Sequence, residues 1–283
     1  MITTAVLKGK LRSVGEIHDI VASMKAFAGY NLQGAKHQIP YRRAYQASIE
    51  EAVGDIVTLF PHLAALETPL PGHPLFVLFL SQEGLCGFFN ERLIDFFETL
   101  PREEATILVV GERGGEEARS RQMACNRFLK GASTVEAIDS YTLELSAYLQ
   151  ELVAGEHVGT LTLVYARHND AGSCEPVAQK VLPPDFARFH RASLKKEPLL
   201  YLDGETILAT LIREYLYTSC YEAFLESVAS ENQERLASML QADNAIKERL
   251  QNLRLELNAL RQKEITEELL EIVSTYRSMI KKP

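Results

Sequence analysis

Apolar residues recur along both ends of the chain in alternating steps of four and three. Near the C-terminus, Ile246, Leu250, Leu253, Leu257 and Leu260 fall on one stripe, which extends back through Ala242 and Met239. Such a 3.5-residue repeat keeps one face of a helix turned toward a partner helix. After Leu260 the stripe skips five residues to Ile265 and then resumes at Leu269, Ile272 and Tyr276, a change of phase that loosens or rotates the seam. No Pro or Gly interrupts the run between Gly204 and Pro283. A single helix from about Glu205 to Arg277 would be roughly 110 Å long at about 1.5 Å per residue. A compact domain of this size cannot enclose it, so something outside the chain is expected to surround part of it.

The N-terminal stripe comprises Leu7, Leu11, Val14, His18, Val21, Met24, Ala28, Asn31 and Ala35, with Ile17 and Ile20 widening it. Pro40 is expected to break or kink this helix, because it lacks an amide donor and crowds the preceding turn. Helical character resumes from Arg42 to about Phe60, where Pro61 marks the end. Two heptad segments at opposite ends of one chain suggest an intramolecular antiparallel coiled coil.

The pattern changes between the helices. Residues 75–80, 106–110, 159–167 and 176–182 are short apolar or alternating runs with strand character. Residues 88–98, 112–122 and 135–153 read as helices, the second weakened at its start by Gly114 and Gly115. Alternating strands and helices define a three-layer α/β domain with a mainly parallel sheet. The domain organisation expected is therefore 1–60 as an N-terminal coiled-coil helix, 74–185 as the central α/β domain, and 204–278 as a C-terminal coiled-coil helix.

Composition narrows the function classes. The chain has 283 residues, 46% of them hydrophobic, and a net charge of −8. There is no run of eighteen apolar residues and no apolar leader, which points to a cytoplasmic protein without direct membrane insertion. The first 45 residues are basic, carrying Lys8, Lys10, Arg12, Lys25, Lys36, Arg42 and Arg43 against Glu16 and Asp19. Without interleaved aromatics or a clustered basic face, this favours an acidic protein partner over nucleic acid.

Candidate chemistry is sparse. The turn 110–115 follows a strand but has neither a Gly-x-Gly-x-x-Gly order nor a closing Gly-Lys-Ser/Thr, so it reads as a glycine turn without a nucleotide. Cys86, in Gly-Leu-Cys-Gly, lacks a nearby base, although His73 could approach it in space. The four cysteines have no metal or redox spacing and read as buried free thiols. The seven histidines form no metal motif, and His168-Asn169-Asp170 reads as a loop tip. Glu264, Glu267, Glu268 and Glu271 read as a solvated face or a partner contact. By its own chemistry the chain is not expected to be an enzyme or to carry a cofactor or metal.

Several segments resemble the gamma subunit of rotary ATP synthases. They are Leu11-Arg12-Ser13-Val14, Ala22-Ser23-Met24-Lys25, the stretch Ser81-Gln82-Glu83-Gly84-Leu85-Cys86-Gly87-Phe88-Phe89-Asn90, Ala229-Ser230-Glu231-Asn232, Asn258-Ala259-Leu260-Arg261-Gln262 and Ile265 to Val273. The resemblance covers nearly the whole chain, in order. It implies a central rotor shaft of two antiparallel terminal helices, with a Rossmann-like α/β domain alongside. The shaft would turn in a ring of three alpha and three beta subunits, above an epsilon-type subunit and a membrane rotor ring that moves protons or sodium ions. On this resemblance Arg261, Gln262, Thr266 and Glu268 would make polar contacts with beta-subunit loops. Met24 and Lys25 would sit on the opposing helix near the same level, and Leu269 to Tyr276, with Ile272, would turn in an apolar collar. Residues 28–34 lack the family's usual basic positions and hold Gly29 and Gly34, which predicts local flexibility. Gln82-Glu83 stands where an Asp-Arg pair is common, and Ser274-Thr275-Tyr276 replaces a small, glycine-containing end. These departures suggest a divergent paralogue from an alternate sodium- or proton-linked ATPase. The competing reading is a coiled-coil adaptor or scaffold that shares the fold without rotating.

Overall fold

A computed structural model describes residues 3–64, 72–155, 158–168, 174–189 and 199–280. In order, the elements are α1 (Thr4–Leu59), α2 (Pro61–Ala64), β1 (His73–Phe79), α3 (Phe89–Glu98), β2 (Thr106–Val110), α4 (Glu112–Ser120) and β3 (Arg127–Leu129). A 3-10 turn (Val135–Ala137) then leads into α5 (Ile138–Gly155), β4 (Val158–His168), β5 (Cys174–Leu182), α6 (Phe186–Phe189) and α7 (Gly204–Ile280). The chain divides into two compact units: Met1–Phe27 with Leu236–Pro283, and Ala28–Arg235.

The larger unit is built on a five-stranded sheet of order β3-β2-β1-β4-β5. The first four strands in that order are parallel, and β5 pairs antiparallel with β4 at one edge. One face carries Phe76, Leu78, Leu80, Ile107, Val109, Val164 and Ala166 against Phe89, Leu93, Ile94 and Phe97 of α3 and Ala118 of α4. α7 packs on the sheet as well: Phe224 meets Phe79 edge to face at 5.0 Å between ring centroids. Within this unit α1 runs antiparallel to α7. Tyr45 donates to Glu214 (2.9 Å), Gln46 to Ser219 (3.3 Å) and Arg43 to the buried Glu226 (2.7 Å).

Three local expectations are corrected. Of the break or kink expected at Pro40, the break does not occur: α1 runs on through it to Leu59. Pro40 lies on the exposed face while Ala35 and Ile39 are buried, so the carbonyl left without its amide donor faces water. α4 forms in spite of its glycines, and they are what lets it approach the sheet. A Cβ on Gly114 would lie 2.1 Å from the Leu80 Cβ, and Gly111 adopts φ 112° where a Cβ would meet the Leu80 carbonyl oxygen at 2.3 Å. Finally, His168 is no loop tip: it is the buried last residue of β4, and its amide donates to Glu226 at 2.9 Å. Asn169 and Asp170 lie outside the described residues. Sequence reasoning also missed β3, a three-residue strand too short to show periodicity.

Candidate partner-binding surface

In the smaller unit the two helices again run antiparallel. Leu7 of α1 packs with Leu253 and Leu257 of α7, flanked by Leu11, Val14 and Leu260. Ile17 and Ile20, expected to widen the seam, are 50% and 59% exposed. They fall off the Leu7–Val14–Val21 stripe because the helix turns about 100° per residue. Opposite Val21 and Met24 the seam passes through Asp243, which is buried, rather than through the half-buried Ala242. With Asp243 in place, the four-and-three alternation from Met239 to Leu260 is unbroken.

Asp243 is held by three cationic or donor side chains. Lys25 Nζ lies 2.7 Å from one carboxylate oxygen, Lys247 Nζ 3.0 Å from the same oxygen, and His18 Nε2 3.0 Å from the other. The hydrogen bonds from Lys25 and Lys247 hold its carboxyl well below the usual carboxylate range. A charged residue at a seam position costs stability but fixes which turn of one helix meets which turn of the other. The cluster was legible only as an interruption of the stripe by an acid, with Lys25 on the opposite helix.

The pairing stops where α1 begins. Thr4 donates to Glu264 at 2.5 Å, and beyond it residues 265–277 of α7 are exposed on every side. Ile265, Leu269, Leu270, Ile272, Val273 and Tyr276 are between 47% and 65% exposed. A helix that is apolar on several faces is ordinarily buried. Arg261, Gln262, Thr266, Glu268, Leu269 and Ile272, all singled out by sequence, lie together on this exposed stretch. Met24 and Lys25 do not join them: both are half-buried, and Lys25 is occupied by Asp243, eighteen residues before Arg261. At about 1.5 Å per residue this separates the two groups by roughly 27 Å along α7.

The signature turn 81–90 is the other locus. Leu85 and Gly87 take positive φ (63° and 59°), and Asn90 closes the turn by accepting from the Ser81 amide and donating to the Ser81 hydroxyl, each at 2.9 Å. Glu231 of α7 accepts from the amides of Gln82 and Glu83, both at 3.3 Å, and pairs with Arg235. Burial pushes the Glu231 carboxyl up, opposed by Arg235 and the two amides. Arg235 in turn donates through Nε to the Gly84 carbonyl at 3.0 Å. Two sequence signatures about 150 residues apart thus meet in one buried charged contact. Cys86 is buried beside Ser81, Glu231 and Arg235, and burial raises its thiol, the opposite of an activated nucleophile. His73 instead lies 3.7 Å from Glu104. Among the described residues no cluster of three or more His, Cys, Asp or Glu could hold a metal ion, and no helix is long and apolar enough to cross a membrane.

These features define a class of protein: an antiparallel pair of terminal helices, the longer of which outruns the shorter, in one chain with an α/β domain. The family model described as ATP synthase matches residues 3–279. The ATP synthase gamma chain of Moorella thermoacetica is 30% identical over 95% of this chain and 96% of its own length, and that of Polynucleobacter asymbioticus is 27% identical over 96% and 98%. The fold is similar to a chain in the Euglena gracilis mitochondrial ATP synthase assembly of OSCP, F1 and c-ring, with TM-score 0.70 and 18% identity over 98% of this chain and 94% of that one. A chain of the Tetrahymena thermophila mitochondrial ATP synthase central stalk and c-ring gives TM-score 0.56, at 21% identity over 79% and 99%. The chain belongs to the ATP synthase gamma family, and the reading as a coiled-coil adaptor that shares the fold without rotating is not favoured.

Proposed function

We propose that this chain is the central-stalk rotor subunit of an ATP synthase, coupling ATP synthesis or hydrolysis in an alpha3-beta3 ring to proton or sodium movement through a membrane rotor ring. The observation that carries this reading is the bare apolar end of α7, residues 265–277, which needs an enclosing apolar partner. Leu269 and Ile272 would turn within that enclosure, while Arg261, Gln262, Thr266 and Glu268 would make polar contacts with beta-subunit loops. Met24 and Lys25 would contribute contacts at the level of Asp243. The chain would perform no catalysis itself. An off-axis helix pair touches each beta subunit differently, and differential contact energy is what shifts binding sites among affinity states. The α/β domain would carry an epsilon-type subunit, and the assembly would work on the cytoplasmic face of the inner membrane.

The test is co-expression with candidate alpha and beta subunits, followed by measurement of stoichiometry and ATPase activity. One copy per three alpha–beta pairs, with ATPase activity lost when the chain is cut after Leu260, is the expected result. A stable lone chain that joins no such pair overturns the reading.

A further inference from the structure

In the larger unit, the polar contacts that tie α7 to the sheet domain are concentrated in its last ten residues, 226–235. The amide of His168 donates to Glu226 at 2.9 Å, and Ser230 Oγ donates to the Ala166 carbonyl at 3.0 Å. Glu231 holds the amides of Gln82 and Glu83, and Arg235 holds the Gly84 carbonyl. The side chains of Glu226, Ser230, Glu231 and Arg235 are buried. Two residues before Glu226 the contact is the aromatic pair Phe224–Phe79. α7 leaves this unit at Arg235.

The two kinds of contact resist different motions. Apolar contact is non-directional, so a helix can roll a few degrees on a sheet with little change in buried area. Hydrogen bonds weaken steeply when bent, and charged ones in a dry interior are the stiffest of them. A twist about the axis of α7 is therefore opposed most strongly where Glu231 and Arg235 grip the backbone of the signature turn. Gripping backbone atoms matters, because side-chain rotamers of residues 82–84 cannot absorb the displacement.

We propose that Glu231 and Arg235 are positioning residues for coupling: the fastening through which torque in α7 passes to the α/β domain. The proposal rests on the rotor reading and adds where, along the helix, the load is handed over. Loss of the fastening lets the helix slip against the domain, so that hydrolysis continues while ion movement falls behind.

The complete complex reconstituted in vesicles with its membrane ring gives two readouts, ATP hydrolysis and ATP-driven ion uptake. Glu231→Gln keeps the size of the side chain but removes its charge and turns a donor toward one of the groups it held, the Gln82 amide or, in the flipped rotamer, the Glu83 amide and Arg235. Ions moved per ATP are expected to fall by about half or more, with subunit stoichiometry and hydrolysis retained. Arg235→Lys, which keeps the charge but loses the planar fork, is expected to lower the ratio too. The partly exposed Arg92–Glu234 pair next to the site is the control, and Glu234→Gln should leave the ratio unchanged. A purely structural role would lower yield or melting temperature without moving the ratio. A wild-type ratio in a fully assembled Glu231→Gln complex overturns the proposal. So does failure of both Glu231→Gln and Arg235→Lys to assemble, which would make the pair a folding element. A wild-type complex that hydrolyses ATP without ion uptake would instead overturn the rotor reading.

Discussion

Residues 223–232 and 265–277 belong to the same helix and are both rich in apolar side chains, yet the first stretch is buried on all sides and the second exposed on all sides. The buried stretch also contains Glu226, Ser227, Ser230, Glu231 and Asn232, each inside the fold. Buried polar groups ordinarily persist where hydrogen-bond partners meet them. Strand ends and a tight turn supply those of Glu226, Ser230 and Glu231, Asn232 bonds within α7 itself, and the Ser227 hydroxyl is left without a partner among the described residues. The exposed stretch carries six large apolar residues that nothing among the described residues of its own unit covers. The difference separates two uses of one secondary structure. One stretch is fixed by contacts within the chain, and the other is left bare by the described residues, as the proposed enclosure by other subunits requires.

The sharpest test of this difference is overpacking. Ala229 has no exposed surface, so Ala229→Leu should cost about 3 kcal/mol or more in denaturant unfolding of the purified chain. Ser230→Ala removes a buried hydrogen bond to the Ala166 carbonyl and should cost about 1 kcal/mol in the same measurement. A smaller, pH-dependent effect is expected at Asp243, between the two stretches. Its carboxyl is depressed in the folded chain, so its contribution is complete above the ordinary carboxylate range. That contribution is lost as pH falls below about 4 toward the folded value. The melting temperatures of wild type and Asp243→Asn should therefore differ at neutral pH and converge in acid. Last, Ile272→Ser should change the stability of the isolated chain by less than about 0.5 kcal/mol, while weakening assembly with alpha and beta subunits in co-purification. A large loss of stability in the isolated chain would break the comparison, because it would show that the end of α7 is already covered.

Much of this architecture was legible in the sequence, for identifiable reasons. The seam from Leu250 to Leu260 shows because packing on one partner imposes a strict repeat. The strands show because burial on both faces leaves runs such as residues 75–80. Asp243 did not show as a seam residue, since a charge there contradicts the pattern and only its partners explain it. Nor did the role of Glu231, whose amide partners lie 148 and 149 residues away in the chain. Pro40 misled because a local rule was applied without knowing that its face is open to water. The exposed residues from Arg261 to Ile272, proposed as partner contacts, were reached through family resemblance. Their common exposure on one stretch of α7 is what the structure adds.

The pairing of Thr4 with Glu264 and of Lys25 with Asp243 has an evolutionary consequence. These contacts run in strict opposite order along two helices at the far ends of one gene. Inserting or deleting one residue in either helix between them would slide the partners by about 1.5 Å and swing them about 100° around the axis. Length changes in these two segments should therefore be tolerated only as matched events in both helices, most readily in whole heptads. Helix register places no such constraint on the loops of the intervening domain, although the turn 81–90 is held in its own way by Glu231 and Arg235.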